Sequence, residues 1–164
     1  MKRSMAALFT VIFLVAADQL SKFWVLAALK GQGSVPVIKD VFELLYVENR
    51  GAAFGILQNH QWIFLLIGAV ILLALLWIFP KLPGEKHFLG LRLCCVFIGA
   101  GAIGNMIDRL FRGYVVDFLY FKLIDFPVFN VADIYVTTAS VVLILLILFV
   151  YREEDFDKIF SKRV

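Results

Sequence analysis

Residues 104–133 read GNMIDRLFRGYVVDFLYFKLIDFPVFNVAD and place polar side chains inside an otherwise lipid-soluble sequence. A charged side chain at bilayer depth costs about 2.5–3.5 kcal/mol on insertion scales. Polar groups at this depth usually face a protein interior or a water-filled cavity, so several of them in one short stretch predict a functional site. The polar residues that form this pattern are Asn105, Asp108, Arg109, Asp117, Asn130 and Asp133.

The composition indicates an integral membrane protein. Hydrophobic residues make up 62% of the 164 residues, and the mean hydropathy is +0.91, whereas a soluble domain averages about 45–50% apolar residues. The length predicts a single membrane-embedded domain over residues 1–164. The net charge of +3 is small, so we interpret it as orientation charge at the membrane surface and expect no nucleic-acid partner.

Four segments are long and apolar enough to cross a bilayer, which takes about 20 residues. They predict spans at residues 5–28, 62–82, 88–107 and 131–151. The first begins like a secretory signal peptide, but its apolar run continues to Leu29, so we expect it to remain as a span. The predicted fold class is therefore an all-α polytopic membrane protein with four transmembrane helices.

An even number of spans places both termini on the same side of the membrane. Lysine and arginine are slightly more numerous on that side, which favours cytoplasmic termini. The two long connections, at residues 29–61 and 108–130, would then face the extracytoplasmic side. The short connection PKLPG, at residues 80–84, would be an inner turn because it contains two prolines and a glycine.

The first long connection contains a candidate β-hairpin at residues 35–47. Its β-branched and aromatic residues lie on either side of Lys39 and Asp40, which is typical of two short strands joined by a turn. Asn49, Gly51 and small residues as far as Gly55 follow. Small residues permit a close approach to another element or to a ligand, and a tight junction into a helix is an alternative interpretation.

Two sets of polar residues have helical spacing. Asp18 and Lys22 are four residues apart, so their side chains share one helical face and can pair; a snorkelling lysine is the alternative. Asn105, Asp108 and Arg109 also share a face, because their spacing is i, i+3 and i+4. We expect Arg109 to hold a carboxylate or a carbonyl; a helix-end charge cluster at the membrane interface is the alternative interpretation.

The two aspartates further along the chain predict the chemistry. Asn130 is a candidate N-cap of the fourth span. An acid in the first helical turn is favoured by the helix dipole, so Asp133 alone has a purely structural interpretation. Asp117, a lone acid in the apolar sequence YVVDFL, has none. Two carboxylates held close together share a proton near neutral pH, so one can activate a water while the other protonates a carbonyl oxygen.

Other hydrolytic machinery fits the sequence less well. His60 and His87 would lie on opposite sides of the membrane, and neither is part of a recognisable nucleophile motif. The sequence contains no HExxH motif, and the adjacent Cys94 and Cys95 would point in different directions on a helix. We therefore expect no metal, no cofactor and no disulfide, and we interpret the two cysteines as small apolar packing residues.

Four clusters resemble the lipoprotein signal peptidases, the type II signal peptidases of bacteria. They are DQLSK (18–22), ENRGAAFG (48–55), GAIGNMIDR (101–109) with VVDF (115–118), and FNVAD (129–133). They occur in the family's order and at family-like spacing, and the resemblance covers essentially the whole chain. It implies an aspartyl endopeptidase of the bacterial plasma membrane that cuts diacylglyceryl-modified prolipoproteins just before the lipidated cysteine.

The resemblance also implies roles for individual residues. The catalytic pair would be Asp117 and Asp133, and the family's small extracytoplasmic β-sheet agrees with the candidate hairpin. Sensitivity to the cyclic peptide antibiotic globomycin would be expected. The implied substrate-binding residues are Asn49, Gly51, Asn105, Arg109 and Asn130. The implied structural supports are Asp18, Lys22 and Asp108, with Asp108 expected to orient Arg109.

Two other functions remain open at this point. Intramembrane Asp, Asn and Arg residues could line an ion path in a proton-coupled transporter subunit, although four spans are few and no inverted repeat is visible. The same residues could also be buried helix contacts in a membrane scaffold. For the peptidase, the expected partners are prolipoprotein substrates and membrane lipids, and the expected oligomeric state is a monomer.

Overall fold

The structure of the protein, a computed structural model, describes residues 2–51 and 60–160. Its helices are α1 (Lys2–Leu29), α2 (Gln61–Ile78), α3 (Leu89–Arg112), α4 (Val131–Phe149) and α5 (Glu153–Phe160). Its strands are β1 (Val35–Ile38), β2 (Phe42–Asn49) and β3 (Val115–Tyr120). Short 3-10 turns at residues 79–81, 86–88 and 122–124 complete the regular structure.

Helices α1 to α4 are each long and apolar enough to span a membrane, which confirms the four predicted spans. The third span was predicted to end at residue 107, but α3 continues to Arg112. The last turns of α3 hold polar residues that pack against other elements, so a boundary predicted from hydropathy alone falls before the true end of the helix. Gly113 terminates α3 in the left-handed conformation, with φ of 74°.

The predicted hairpin is present, but it belongs to a three-stranded antiparallel sheet in the order β1-β2-β3. β3 begins three residues after α3 ends, and it pairs with β2 so that Val115 lies opposite Asn49 and Asp117 opposite Val47. The sheet therefore brings residues 49 and 117 to the ends of α1 and α3. A bridge between Leu119 and Phe129 ties the sheet to the start of α4.

The opposite end of the helix bundle is closed by α5, which was not predicted. α5 buries Ile159 against Leu82, Phe88, Leu91 and Tyr151, while its acidic residues Glu153, Glu154 and Asp157 are exposed. Helix α5 is only eight residues long. It therefore fell below the length at which a search for spans detects a helix.

Helix α3 lies at the centre of the bundle, and glycines let its neighbours approach closely. A Cβ atom added at Gly101 would lie 2.6 Å from the carbonyl oxygen of Ala132, and one added at Gly104 would lie 2.6 Å from Asp18 Oδ2. Both glycines therefore permit the close packing of α3 against α4 and α1. This packing determines the distance between the polar residues of α3 and those at the start of α4.

We expect Gly101→Ala to destabilise the protein by about 1–3 kcal/mol, because the new methyl group meets a helix backbone that cannot move cheaply. Thermal unfolding in detergent measures the effect. Gly68→Ala is the matched control: its Cβ would meet only the side chain of Met106, which can change rotamer. Equal melting temperatures for the two variants would contradict this account of the α3–α4 contact.

Candidate active site

Asp117 and Asp133 line one cavity of about 320 Å³ at the sheet end of the helix bundle. Asp117 lies in the middle of β3 and is 2% exposed. Asp133 is the third residue of α4 and lies in its first turn. Asn49, Gly51 and Arg109 line the same cavity, together with the aromatic rings of Phe64, Phe126 and Phe129.

Asn130 joins the two carboxyl groups. Its side-chain amide donates to Asp117 Oδ1 at 2.6 Å, and its backbone N–H donates to Asp133 Oδ2 at 3.1 Å. The backbone N–H of Asp133 in turn donates to Asn130 Oδ1 at 3.0 Å. This reciprocal capping box confirms Asn130 as the N-cap of α4. The residue that begins the helix therefore also orients both aspartates.

Two further asparagines hold the remaining carboxylate oxygens. Asn49 donates to Asp117 Oδ2 at 2.8 Å, and Asn105 donates to Asp133 Oδ1 at 2.8 Å. The backbone N–H of Gly51 fixes Asn49 by donating to its Oδ1 at 2.9 Å. Each carboxylate oxygen thus accepts one hydrogen bond from an asparagine, which positions both acids without an ion pair.

The buried ammonium group of Lys22 supports this arrangement from inside the helix bundle. Lys22 is fully buried, and its Nζ lies 2.9 Å from Asp18 Oδ2 and 3.1 Å from Asp108 Oδ2. It also donates to Asn105 Oδ1 at 2.9 Å. Asp18 Oδ1 accepts the backbone N–H of Ala132 at 2.9 Å. The predicted Asp18–Lys22 pair is therefore confirmed, and it links α1 to α3 and to the start of α4.

Asp108 does not orient Arg109 directly, so that expectation was wrong. Its carboxylate pairs with Lys22 and Arg112 and accepts the backbone N–H of Val116 at 3.1 Å. Arg112 is one helical turn beyond Asp108, whereas the adjacent Arg109 projects in a different direction. Asp108 therefore supports the site by fixing β3 to α3.

Arg109 faces the cavity, and its hydrogen bonds to other described residues are long. Its guanidinium lies over the ring of Phe64, 4.7 Å from the centroid. Its terminal nitrogens lie 3.5 Å from the carbonyl oxygens of Asn105 and Gly51. Within the described residues, its buried Nε has no hydrogen-bond partner. Arg109 therefore retains donor capacity next to the two aspartates.

Sequence reasoning missed Gln19 and Phe64. Gln19 lies inside the DQLSK cluster and donates to the carbonyl of Gly104 at 3.1 Å and to Asp108 at 3.3 Å. Its position between Asp18 and Lys22 was the available signal. The sequence offers no such signal for Phe64, because one phenylalanine in an apolar span is not distinguishable from its apolar neighbours. The small-residue segment from Ala52 to Gly55 lies outside the described residues.

The chain that forms this site matches a known protein family along most of its length. The model of the family described as Signal peptidase (SPase) II matches residues 10–149. This range includes every residue of the site described above. The chain belongs to the signal peptidase II family.

Individual members of the signal peptidase II family are similar over most of their length. The lipoprotein signal peptidase of Clostridioides difficile (strain 630) is 45% identical over 139 residues, covering 85% of this chain and 92% of that protein. The lipoprotein signal peptidase of Caldanaerobacter subterraneus subsp. tengcongensis is 45% identical over 144 residues, covering 87% of this chain and 96% of that protein. These relatives give no support to the transporter alternative.

Solved structures agree with the fold of this signal peptidase II. A bacterial membrane enzyme determined by the in meso method has a TM-score of 0.75 and 30% identity, covering 97% of this chain and 94% of that one. A second structure of that description has a TM-score of 0.76 and 31% identity, covering 89% of this chain and 94% of that one. The four membrane helices and the small sheet therefore belong to a multi-pass bacterial membrane protein.

The candidate site of this signal peptidase II would be close to electrically neutral with one proton shared by the two aspartates. Lys22 and Arg112 formally offset Asp18 and Asp108. Arg109 can then offset only one of the two cavity aspartates. Burial and the nearby Asp133 carboxylate raise the pKa of Asp117 to about 7, against the opposing hydrogen bonds from Asn49 and Asn130. The charge balance therefore favours one shared proton near neutral pH.

Proposed function

We propose that this protein is an aspartyl endopeptidase that removes the signal peptide from diacylglyceryl-modified prolipoproteins. The bond cut is the one just before the lipidated cysteine. Membership of the signal peptidase II family supports the removal of prolipoprotein signal peptides. The observation that carries the aspartyl class is the joining of Asp117 and Asp133 by Asn130 in one cavity.

The proposed chemistry requires only one water. The ionised carboxylate accepts a proton from the water, whose oxygen attacks the scissile carbonyl carbon, while the protonated carboxyl donates its proton to the carbonyl oxygen. A tetrahedral intermediate forms. It then collapses as the C–N bond breaks: the proton taken from water passes to the amine of the cysteine, and one hydroxyl of the intermediate returns its proton to the other carboxylate. The pair returns to its starting state with one proton between the two aspartates.

The surrounding residues divide into three proposed groups. Asn49, Asn105 and Asn130 already donate to the aspartates, so we assign them to positioning the pair, with further contacts to the substrate backbone. Arg109 and Gly51 both line the cavity, and within the described residues the Nε of Arg109 has no hydrogen-bond partner. We assign these two residues to binding the substrate backbone. Asp18, Lys22 and Asp108 support them from within the bundle.

The location of the cavity explains why a lipid would be part of the substrate. The cavity lies where the membrane helices meet the sheet, and aromatic side chains line one wall. A diacylglyceryl group would keep the adjacent peptide bond at this depth, with its acyl chains in the bilayer. We propose that this end of the bundle faces the extracytoplasmic side and that both termini are cytoplasmic. We also propose that the protein acts as a monomer and is sensitive to globomycin.

Cleavage of paired precursors tests this proposal. The purified chain in lipid would be given one prolipoprotein with and one without its diacylglyceryl group, and the products would be identified by mass spectrometry. We expect cleavage of the lipidated precursor alone, immediately before its cysteine. Equal cleavage of the unlipidated precursor would contradict the lipid requirement. Cleavage at another bond, or none by a folded preparation, would contradict the proposed activity.

The rate should depend on pH through Asp117. Since burial raises the pKa of Asp117 to about 7, the shared proton is lost as the pH rises through this value. We expect kcat/KM to fall about tenfold per pH unit on the alkaline side. Rates at low substrate concentration between pH 5 and pH 9 measure this fall, and thermal melting at each pH controls for unfolding. A rate that stays level up to pH 9 would exclude a shared proton of this kind.

A further inference from the structure

We propose a binding site for an anionic phospholipid at the end of the helix bundle opposite the two aspartates. A groove of about 220 Å³ runs between α1 and α3 there, and it is lined by Arg3, Ala7, Thr10, Phe79, Arg92 and Val96 among others. Most of its wall is apolar, while two arginines lie at its outer end. A groove that is charged at its outer end and apolar along the rest of its length matches a phospholipid with its phosphate at the membrane surface.

The two guanidinium groups converge on one turn. Arg92 donates to the backbone carbonyls of Pro83 and Glu85, the latter at 3.2 Å. The guanidinium of Arg3 lies against Gly84, where an added Cβ would come within 2.5 Å of its Nη1. The turn therefore brings two cations from different helices together. A guanidinium has five N–H donors, and a phosphate accepts from several such donors at once.

The apolar part of the groove continues toward the middle of the membrane. A second groove of about 210 Å³ shares Ala7, Phe79 and Val96 with the first and runs between α1, α2 and α3 as far as Ile103. The small side chain of Ala7 lies at the junction of the two grooves. A ligand with a phosphate and two acyl chains can therefore fill both grooves while its phosphate stays beside the arginines.

Charge complementarity selects the lipid class. The adjoining connection carries Lys81 and Lys86 against a single acid, Glu85, so this connection is basic, although the acids of α5 lie at the same end of the bundle, where Asp155 contacts His87. Each lysine or arginine near an anionic membrane surface strengthens binding by about fivefold. A lipid with net negative charge, such as phosphatidylglycerol, is therefore favoured over the zwitterionic phosphatidylcholine. This site is separate from the proposed peptidase chemistry and does not depend on it.

Lipid binding to the full chain in detergent tests the proposal. Native mass spectrometry and thermal melting would compare phosphatidylglycerol, phosphatidylcholine and glycerol 3-phosphate. We expect phosphatidylglycerol to bind at least about fivefold more tightly than phosphatidylcholine, and glycerol 3-phosphate to leave the melting temperature unchanged. Equal affinity for the two lipids would overturn the proposal. A shift with glycerol 3-phosphate as large as that with phosphatidylglycerol would indicate a soluble-anion site and would also overturn it.

Matched variants locate the site. Arg3→Gln should weaken phosphatidylglycerol binding about fivefold, whereas Arg152→Gln, an exposed arginine at the same end of the bundle, should leave it unchanged. Ala7→Phe should fill the junction of the grooves and abolish binding, whereas Ala28→Phe, at an exposed position of α1, should not. Binding that is unaffected by Arg3→Gln, or weakened equally by Arg152→Gln, would overturn the assignment.

Discussion

Asp117→Asn and Asp133→Asn should each reduce the cleavage rate of a lipidated prolipoprotein by about 10³-fold or more. An asparagine has nearly the shape of an aspartate, but it cannot accept or release the proton that the pair shares. Substrate binding should largely survive, because the cavity walls and Arg109 are unchanged. The cleavage rate and the dissociation constant for the lipidated precursor, measured separately, distinguish the loss of chemistry from the loss of binding.

Asp40→Asn is the control for these two variants. Asp40 lies in the β1–β2 turn with a positive φ of 58°, a conformation that asparagine tolerates. Its side chain is 71% exposed, and it does not line the cavity. This variant should cleave within about twofold of the wild-type rate. Near-normal cleavage by either Asp117→Asn or Asp133→Asn would remove that aspartate from the proposed mechanism.

Lys22→Met should destabilise the protein by about 3–5 kcal/mol. Methionine fills much of the volume of lysine, so the main change is the loss of the ammonium group. Asp18 and Asp108 would then face each other in a fully buried setting without the cation that lies between them. Asn105 Oδ1 would also lose one of its two donors and keep only the amide of Asn130, at 3.2 Å. Thermal or denaturant unfolding in detergent measures the effect, and cleavage should fall with it because Asn105 holds Asp133.

Two comparisons show whether charge causes this loss. Lys30→Met removes a lysine whose side chain is 53% exposed, pairs with Glu48 at the surface and lies over the ring of Tyr46, so its cost should stay within about 1 kcal/mol. The triple variant Lys22→Met, Asp18→Asn, Asp108→Asn removes both carboxylates that faced the lysine, and it should be more stable than Lys22→Met alone. A triple variant less stable than the single one would show that packing around residue 22, not charge, dominates.

The features that depend on local sequence were predictable. Membrane spans follow from runs of about 20 apolar residues, and the hairpin follows from β-branched residues on either side of a turn. Asn130 was recognised as an N-cap because a polar residue before an apolar helix has few other roles. The Asp18–Lys22 pair followed from i, i+4 spacing. The single-domain organisation remains a prediction.

The contacts that assemble the site depend on distant parts of the chain. The hydrogen bond between Asn49 and Asp117 joins residues 68 positions apart, and the bond between Lys22 and Asn105 joins residues 83 positions apart. Sequence spacing cannot give such pairings, because they result from the order of the strands and the packing of α1 on α3. The incorrect partner for Asp108 had the same origin: Lys22 on α1 and Val116 on β3 compete for its carboxylate.

The most direct test of the central claim, that Asp117 and Asp133 act as one unit on one water, is the residual cleavage rate of the double variant Asp117→Asn, Asp133→Asn. Groups that act as a unit are strongly non-additive, since removing one member already disables the mechanism. We therefore predict that the double variant cleaves the lipidated precursor about as slowly as either single variant. If the two losses multiply instead, the aspartates contribute independently, and the shared-proton mechanism is contradicted.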